Sequence, residues 1–178
     1  MVKTFYMSTQ GDVSHTTKEE TKSTTSHPMK DKLLQAFSIN MNIIVNMLEE
    51  NNKICNDLSI SLAVSFIRQL LKEHILPESK PSDYYEKNAI TVFHDKIKPY
   101  REEIKKRSIE FFVKHIDIIF ELPNDNTTQM IKDKIINMLI YGKCKSDGAV
   151  ILNVEKNHKN LWDCLDILVK ISDKYMSC

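Results

Sequence analysis

Apolar residues recur at intervals of three and four along most of the chain, and this spacing limits the folds that it can adopt. Such spacing places apolar side chains on one face of an α-helix, whereas a half-buried strand needs strict alternation. The helical pattern covers about residues 29–50, 57–71, 82–97, 108–120, 127–139 and 158–176. We therefore predict an all-α fold, an antiparallel bundle of five or six amphipathic helices joined by short loops.

Glycine is scarce, with 3 residues among 178, and this supports the helical interpretation. The tight turns of β-rich folds and the loops that cradle phosphate both need glycine at positive φ. Pro77 and Pro81 bracket a predicted loop, and Pro99 kinks or ends a helix, because proline interrupts helical hydrogen bonding. Short polar residues predict helix starts at Asp57, at Ser82 or Asp83, at Ser108 and at Thr127 or Thr128, and Gly142 predicts a left-handed helix end.

The second predicted helix is apolar over most of its circumference. Its apolar residues are Leu58, Leu62, Phe66 and Leu70, spaced four apart, with Val64, Ile67 and Leu71 beside them. A helix that is apolar on most sides is usually buried, so we expect this helix at the centre of the bundle. It is too short, and too interrupted by polar residues, to span a bilayer.

Two polar stretches predict boundaries between helices. The run Asn51-Asn52-Lys53 predicts the end of the first helix, at about residue 50. Residues 101–107 are dense in charge and contain one apolar residue, Ile104, so we predict that this segment is solvated.

Residues 1–28 differ from the rest of the chain in being rich in serine and threonine. Few apolar side chains are present to offset the entropy of ordering, so we predict a flexible arm, in which Phe5, Tyr6 and Met7 are the residues suited to docking. Residues 29–178 are predicted to form a single α-helical domain. Within this domain we assign no secondary structure to Lys143 to Val154, since Ala149 to Leu152 fits either a short buried strand or the start of a helix.

Charge and cysteine usage constrain the partners and the compartment. The formal net charge is +1, which provides no long-range positive field, so general nucleic-acid binding is disfavoured. The four cysteines are Cys55, Cys144, Cys164 and Cys178, and they have no paired spacing. Because the chain start also lacks a signal region, we predict reduced thiols in an intracellular protein.

Catalytic groups are sparse in the sequence. No two histidines stand at the i,i+4 spacing with which one helix holds zinc. The pairs Glu49-Glu50 and Glu102-Glu103 are adjacent on a helix, so their carboxylates point about 100° apart and do not share a proton. Phosphate loops, nucleophile elbows and kinase signatures are lacking. We predict a protein that is not an enzyme, with no catalytic residue, cofactor or metal ligand.

One stretch of the chain concentrates positive charge next to aromatic residues. Rings between basic side chains can bind single-stranded nucleic acid by stacking. The carboxylates of Glu102, Glu103 and Glu110 lie in the same stretch and favour a solvated face instead. The residues of this candidate patch for nucleic acid or a partner are Lys98, Arg101, Lys105, Lys106, Arg107 and Lys114, with Tyr100, Phe111 and Phe112 between them.

The chain resembles small, uncharacterised all-helical proteins of large nucleocytoplasmic DNA viruses. The likeness covers about residues 30 to 176, and the segment from Lys143 to Val154 departs from the pattern. It implies a viral protein made in an infected cell, located in the host cytoplasm or the virion, and it implies no catalytic residues. The motifs that carry it are Pro99-Tyr100-Arg101, Ile104, Phe111-Phe112-Val113, Leu161-Trp162 and Ser172-Asp173-Lys174-Tyr175.

Our leading hypothesis is a non-enzymatic helical interaction protein, a virion component or assembly factor, that binds itself or another protein. The alternative is a Bcl-2-like viral modulator of host apoptosis or innate signalling, which requires a central apolar helix and an open groove. A related pattern occurs at Leu168 to Tyr175, which looks like the short helical ligand of Bcl-2 proteins, with Asp173 aimed at a partner arginine.

Overall fold

The computed structural model of the chain describes residues 27–75, 77, 80–81, 83–120, 126–144 and 154–178. Within these ranges the protein is all-α, as the apolar period predicts, and it contains no β-strand there. The predictions for residues 1–26 and 145–153 lie outside the described residues. The helices are α1 (Pro28–Cys55), α2 (Leu58–Ile75), α3 (Ala89–Ile97), α4 (Arg101–Lys105), α5 (Ile109–Phe120), α6 (Asn126–Ile136) and α7 (Val154–Met176).

Helices α1 and α7 form the centre of the fold. α1 packs along both α7 and α2, and α7 also contacts α3 and α4. Leu34 and Ile44 of α1 and Leu165 of α7 are fully buried. Side chains from all seven described helices join these residues in one continuous hydrophobic core. The expectation that the second helix is central is therefore wrong, because α2 packs on one side of the bundle and leaves one of its apolar faces uncovered.

Helix α1 continues past its predicted end. Asn51 and Asn52 are buried within it, and the helix ends at Cys55, after which Asn56 takes a left-handed conformation. Neighbouring elements bind the side chain of Asn52 and the side-chain oxygen of Asn51, whereas Asn51 Nδ2 is buried without a hydrogen-bond partner. Asn52 Nδ2 donates to Ser61 Oγ at 2.9 Å, and Asn157 Nδ2 donates to Asn51 Oδ1 at 3.2 Å. Partners supplied by α2 and α7 let a polar run remain helical inside the fold.

Helix α3 begins later than predicted, at Ala89, with Asn88 as its N-cap. The Asn88 side chain accepts hydrogen bonds from the N–H groups of Ile90 and Thr91, so it satisfies the start of the helix. The preceding residues 83–88 form turns. Asp83 is therefore not the cap, and Ser82 lies outside the described residues.

The chain near Pro99 forms a tight 3₁₀ turn, Lys98–Tyr100, and then the short helix α4. Ile104 of α4 is 1% exposed, so this segment is anchored in the core on one side, whereas we predicted it to be solvated. Ser108 starts α5 as predicted, since its Oγ accepts a hydrogen bond from the N–H of Phe111 at 3.2 Å.

Helix α6 widens into a π-helical turn, Asn137–Tyr141, before it ends. Gly142 follows with φ of 59°, the left-handed conformation predicted for it. His158 of α7 holds this turn, with Nε2 at 2.6 Å from the carbonyl oxygen of Ile140. The turn directs the chain to Cys144, next to the end of α1.

Cys55 and Cys144 form a disulfide, with 5.3 Å between their Cα atoms. The prediction of four reduced thiols is therefore wrong for this pair. The two cysteines are 89 residues apart, and packing of α6 and the π-helical turn against α1 and α2 brings them together. Cys164 and Cys178 are unpaired as predicted, and burial raises the pKa of the Cys164 thiol.

None of the helices that the structure describes has both the length and the apolar character that crossing a membrane requires.

Candidate interaction surface

The basic stretch predicted as a candidate patch lies against α7. Two of its arginines form ion pairs with carboxylates of that helix. Arg101 Nη2 donates to the Asp173 carboxylate and approaches His94 Nε2 at 3.1 Å. His94 Nε2 lies 3.4 Å from the same Asp173 oxygen. Arg101 is only partly exposed. The guanidinium therefore ties α4 to α7 and α3 and is not free to bind a phosphate.

Arg107 makes a second connection to α7. Its Nη2 atom lies 2.6 Å from an oxygen of Asp163 and 4.0 Å from one of Asp166. Arg107 takes φ of 54°, a left-handed conformation that orients the side chain at the end of α4. Lys105 pairs with Glu102 at 2.8 Å on the exposed side of α4. Three of the six basic residues are thus neutralised by neighbouring carboxylates.

Lys98, Lys106 and Lys114 are the exposed remainder of the patch, and no described carboxylate forms an ion pair with them. They lie on the 3₁₀ turn, after α4 and on α5, respectively. Three lysines on three separate elements make a dispersed positive surface, with the Glu102 carboxylate also present there.

The aromatic residues of the same stretch are used inside the fold. Phe111 and Phe112 are 5% and 0% exposed. Tyr100 packs against Phe111 and His115, at ring-centroid distances of 5.2 and 4.5 Å. Stacking of a nucleic-acid base needs an open ring face. The two phenylalanines present none.

The segment that looks like a Bcl-2 ligand faces the core of its own molecule. Leu168, Ser172 and Tyr175 are fully buried on α7. Asp173 does meet an arginine, but this is Arg101 of the same chain. These side chains hold α7 in the bundle, so the segment is not displayed as a free ligand helix in this fold.

A second apolar face of α2 is exposed. It consists of Leu58, Leu62 and Phe66, which we call the α2 apolar stripe, with exposed fractions of 74%, 64% and 50%. The members are four residues apart, so they follow one another along a single side of the helix. Isolated exposed apolar residues are common in monomeric proteins, and a row of them on one helix face is a candidate binding surface.

The core residues of α2 lie on the opposite side of the helix from the stripe. Ile60, Val64 and Ile67 are at most 5% exposed. At 100° per residue, Ile60 and Leu62 project about 160° apart, so one helix cannot bury both against the same core. The sequence contains this signal as two separate apolar rows, and the prediction of one broad apolar face missed the separation between them.

Polar contacts to α6 and α1 flank the buried face of α2. Asp57 caps the helix as predicted, because its carboxylate oxygen accepts the N–H of Ser59 at 2.9 Å. The other carboxylate oxygen pairs with Lys134 of α6 at 2.7 Å. On the α1 side, Arg68 Nη2 contacts Glu49 at 2.6 Å. These polar contacts and the burial of Ile60, Val64 and Ile67 in the core are consistent with one orientation of α2, in which the stripe faces outward.

A tyrosine cluster joins the far end of α2 to the start of α1. The Tyr84 hydroxyl donates to the carbonyl oxygen of Ile75, and burial raises the pKa of Tyr84 to about 12. Tyr85 donates to Asp31 at 2.8 Å, and its ring lies 4.4 Å from that of His27. This cluster fixes where the described chain begins relative to α2.

Among the residues that the structure describes, no group of three His, Cys, Asp or Glu side chains converges to hold a metal ion. Comparisons of the chain with protein-family models, with curated proteins and with solved structures each found no match. On the described surface, Leu58 and Leu62 of the stripe are the most exposed of the large apolar side chains.

Proposed function

We propose that this protein is a non-enzymatic helical interaction protein that binds another protein, or a second copy of itself, through the α2 apolar stripe. The observation that supports this proposal is the stripe itself, a row of three side chains that are half or more exposed on the side of α2 opposite the core. A partner that covers such a row buries apolar surface, and each Å² buried lowers the free energy by about 25 cal/mol. This gain is a general driving force for association.

The viral origin, and the role as a virion component or assembly factor in the host cytoplasm or virion, follow from the sequence resemblance and form part of the same proposal. The structural observations favour neither nucleic-acid binding nor the Bcl-2-like role. Arg101 and Arg107 are paired within the chain, which weakens the nucleic-acid hypothesis. For the Bcl-2-like alternative, the central helix α1 has exposed polar residues along one side and is not apolar all round.

The experiment compares two exposed positions by photo-crosslinking in source or infected cells. A photoreactive phenylalanine analogue replaces Leu62 in one protein and Ile39 of α1 in the other, because the exposed fractions of these side chains are similar, 64% and 56%. We expect protein adducts at position 62 and few at position 39. Light scattering of the purified chain measures its molar mass in solution. A dimer mass indicates that the partner is a second copy, and a monomer mass indicates a different protein.

A charge substitution provides the matched control. Leu62→Asp places a carboxylate in the stripe and is expected to abolish partner capture, while Ile39→Asp makes the same chemical change outside it and preserves capture. Equal adduct yields at both positions, or undiminished capture by Leu62→Asp, would refute the proposal.

A further inference from the structure

The size of the α2 apolar stripe indicates what kind of occupant fits it. Three side chains of roughly 150–200 Å² each, exposed by the observed fractions, offer on the order of 350 Å². A stable interface between two proteins buries about 800 Å² on each partner. The stripe by itself therefore supplies less than half of such an interface, and a protein partner or a second copy would also cover the surface beside it. A short segment with two or three apolar side chains needs no more area than the stripe offers.

The described chain begins near the end of the helix that carries the stripe. His27 contacts Tyr85, and the adjacent Tyr84 binds the carbonyl oxygen of Ile75, the last residue of α2. The 26 residues before His27 are therefore connected to the bundle at the end where α2 finishes.

The chain before His27 is long enough to reach the stripe. Asn52 contacts Ser61, so Leu62 lies level with Asn52, roughly 37 Å along α1 from His27 at 1.5 Å per residue. A chain of the length between Met7 and His27 spans about 25 Å on average when unstructured. Its fully extended limit is about 66 Å. The stripe lies between these two limits.

The apolar residues of this part of the sequence are concentrated in one place. Phe5, Tyr6 and Met7 are consecutive, and residues 8–26 contain one further apolar residue, Val13. A short apolar group on a long polar tether is suited to an intramolecular contact, for which the effective concentration is about millimolar.

We infer that Phe5, Tyr6 and Met7 dock on the α2 apolar stripe of the same molecule and compete with any external partner for it. This inference shares the stripe with the proposed function but requires no partner, so each can fail without the other. The arm then acts as an internal competitor, and partner binding displaces it.

The test uses the full-length chain, purified and dilute, with the photoreactive phenylalanine analogue in place of Leu62. Irradiation followed by peptide mapping is expected to give an intramolecular adduct to residues 5–7 in a protein of monomer mass. Replacing the three residues together, Phe5→Ser, Tyr6→Ser and Met7→Ser, is expected to lower the adduct yield about fivefold, since the tethered apolar group is lost.

Val2→Ser with Val13→Ser is the matched control, because it removes apolar side chains from the same arm outside the proposed contact; it is expected to leave the yield unchanged. Adducts to a second copy, adducts elsewhere in the same chain, or an unchanged yield in the triple variant would each overturn the inference. Partner capture in cells, which tests the proposed function, does not enter this measurement.

Discussion

At the scale of single residues, Asp57 combines two roles at the start of α2. One carboxylate oxygen caps the helix through the N–H of Ser59, and the other pairs with Lys134 of α6. Partial burial acts to raise its pKa, but the hydrogen bonds from Lys134 and Ser59 hold the pKa of Asp57 below its ordinary value of 3.8. The ionised form is therefore favoured by folding.

We predict that Asp57→Ala lowers the free energy of unfolding by about 2 kcal/mol at pH 7, since both the cap and the ion pair are lost. Asp57→Asn keeps an acceptor for the cap and is expected to cost about 1 kcal/mol. Urea unfolding at pH 7 measures both values.

The pH dependence of the same variants follows from the lowered pKa. The carboxylate contributes stability above its unfolded pKa, near 3.8, and this contribution is lost as the pH falls through the lower folded pKa. The deficit of Asp57→Asn relative to the wild-type protein is expected to shrink as the pH falls below 3.8 and to vanish once the pH is below the lower folded pKa. A deficit of the same size at pH 3 and pH 7 would show that the charge is not its cause.

At the scale of elements, α2 is a helix with two apolar faces of which one is used in the core. Sequence periodicity predicts that this segment is a helix but does not say which apolar row is buried. In the structure the buried row packs in a core built from all the helices, and Asp57 and Arg68 pair with Lys134 and Glu49, so the choice involves residues from distant parts of the sequence.

The two faces predict opposite mutational responses. Ile60→Ala is expected to lower the free energy of unfolding by about 3 kcal/mol, because Ile60 is fully buried and the substitution leaves a cavity. Leu62→Ala, at the exposed stripe, is expected to change it by less than about 0.5 kcal/mol. Chemical unfolding of the two variants checks this, and equal losses would mean that the helix is rotated from its observed position.

At the scale of the whole molecule, the Cys55–Cys144 disulfide crosslinks two distant parts of the chain. It joins the end of α1 to the residues after the π-helical turn, 89 positions later. In the chain-entropy view, a crosslink of this span removes unfolded conformations and stabilises the native state by about 4–5 kcal/mol.

We predict that Cys55→Ala with Cys144→Ala, or reduction of the wild-type protein, lowers the free energy of unfolding by about 4 kcal/mol. Denaturant unfolding with and without dithiothreitol measures the effect. Cys178→Ser, at an exposed unpaired cysteine, serves as the control and is expected to unfold like the wild-type protein. Four free thiols in the native protein by mass spectrometry after alkylation would contradict the disulfide.

The candidate basic patch also depends on contacts that the sequence does not reveal. The sequence places Lys98, Arg101 and Arg107 close together, and it places Glu102 and Glu103 beside them. It does not show that Asp163 and Asp173, some 60 residues later, face the two arginines. Local charge counting therefore overestimates the free positive charge of a surface that another helix has partly neutralised.

The sequence by itself determined the helical class, several helix starts such as Asp57 and Ser108, and the left-handed end at Gly142, because these depend on contacts within a few residues. The tertiary structure decided which face of α2 is buried, which cysteines pair and which carboxylates neutralise Arg101 and Arg107. Each of these outcomes depends on groups that are distant in the chain and come into contact only when the helices pack. The spacing of apolar residues does not predict such long-range contacts.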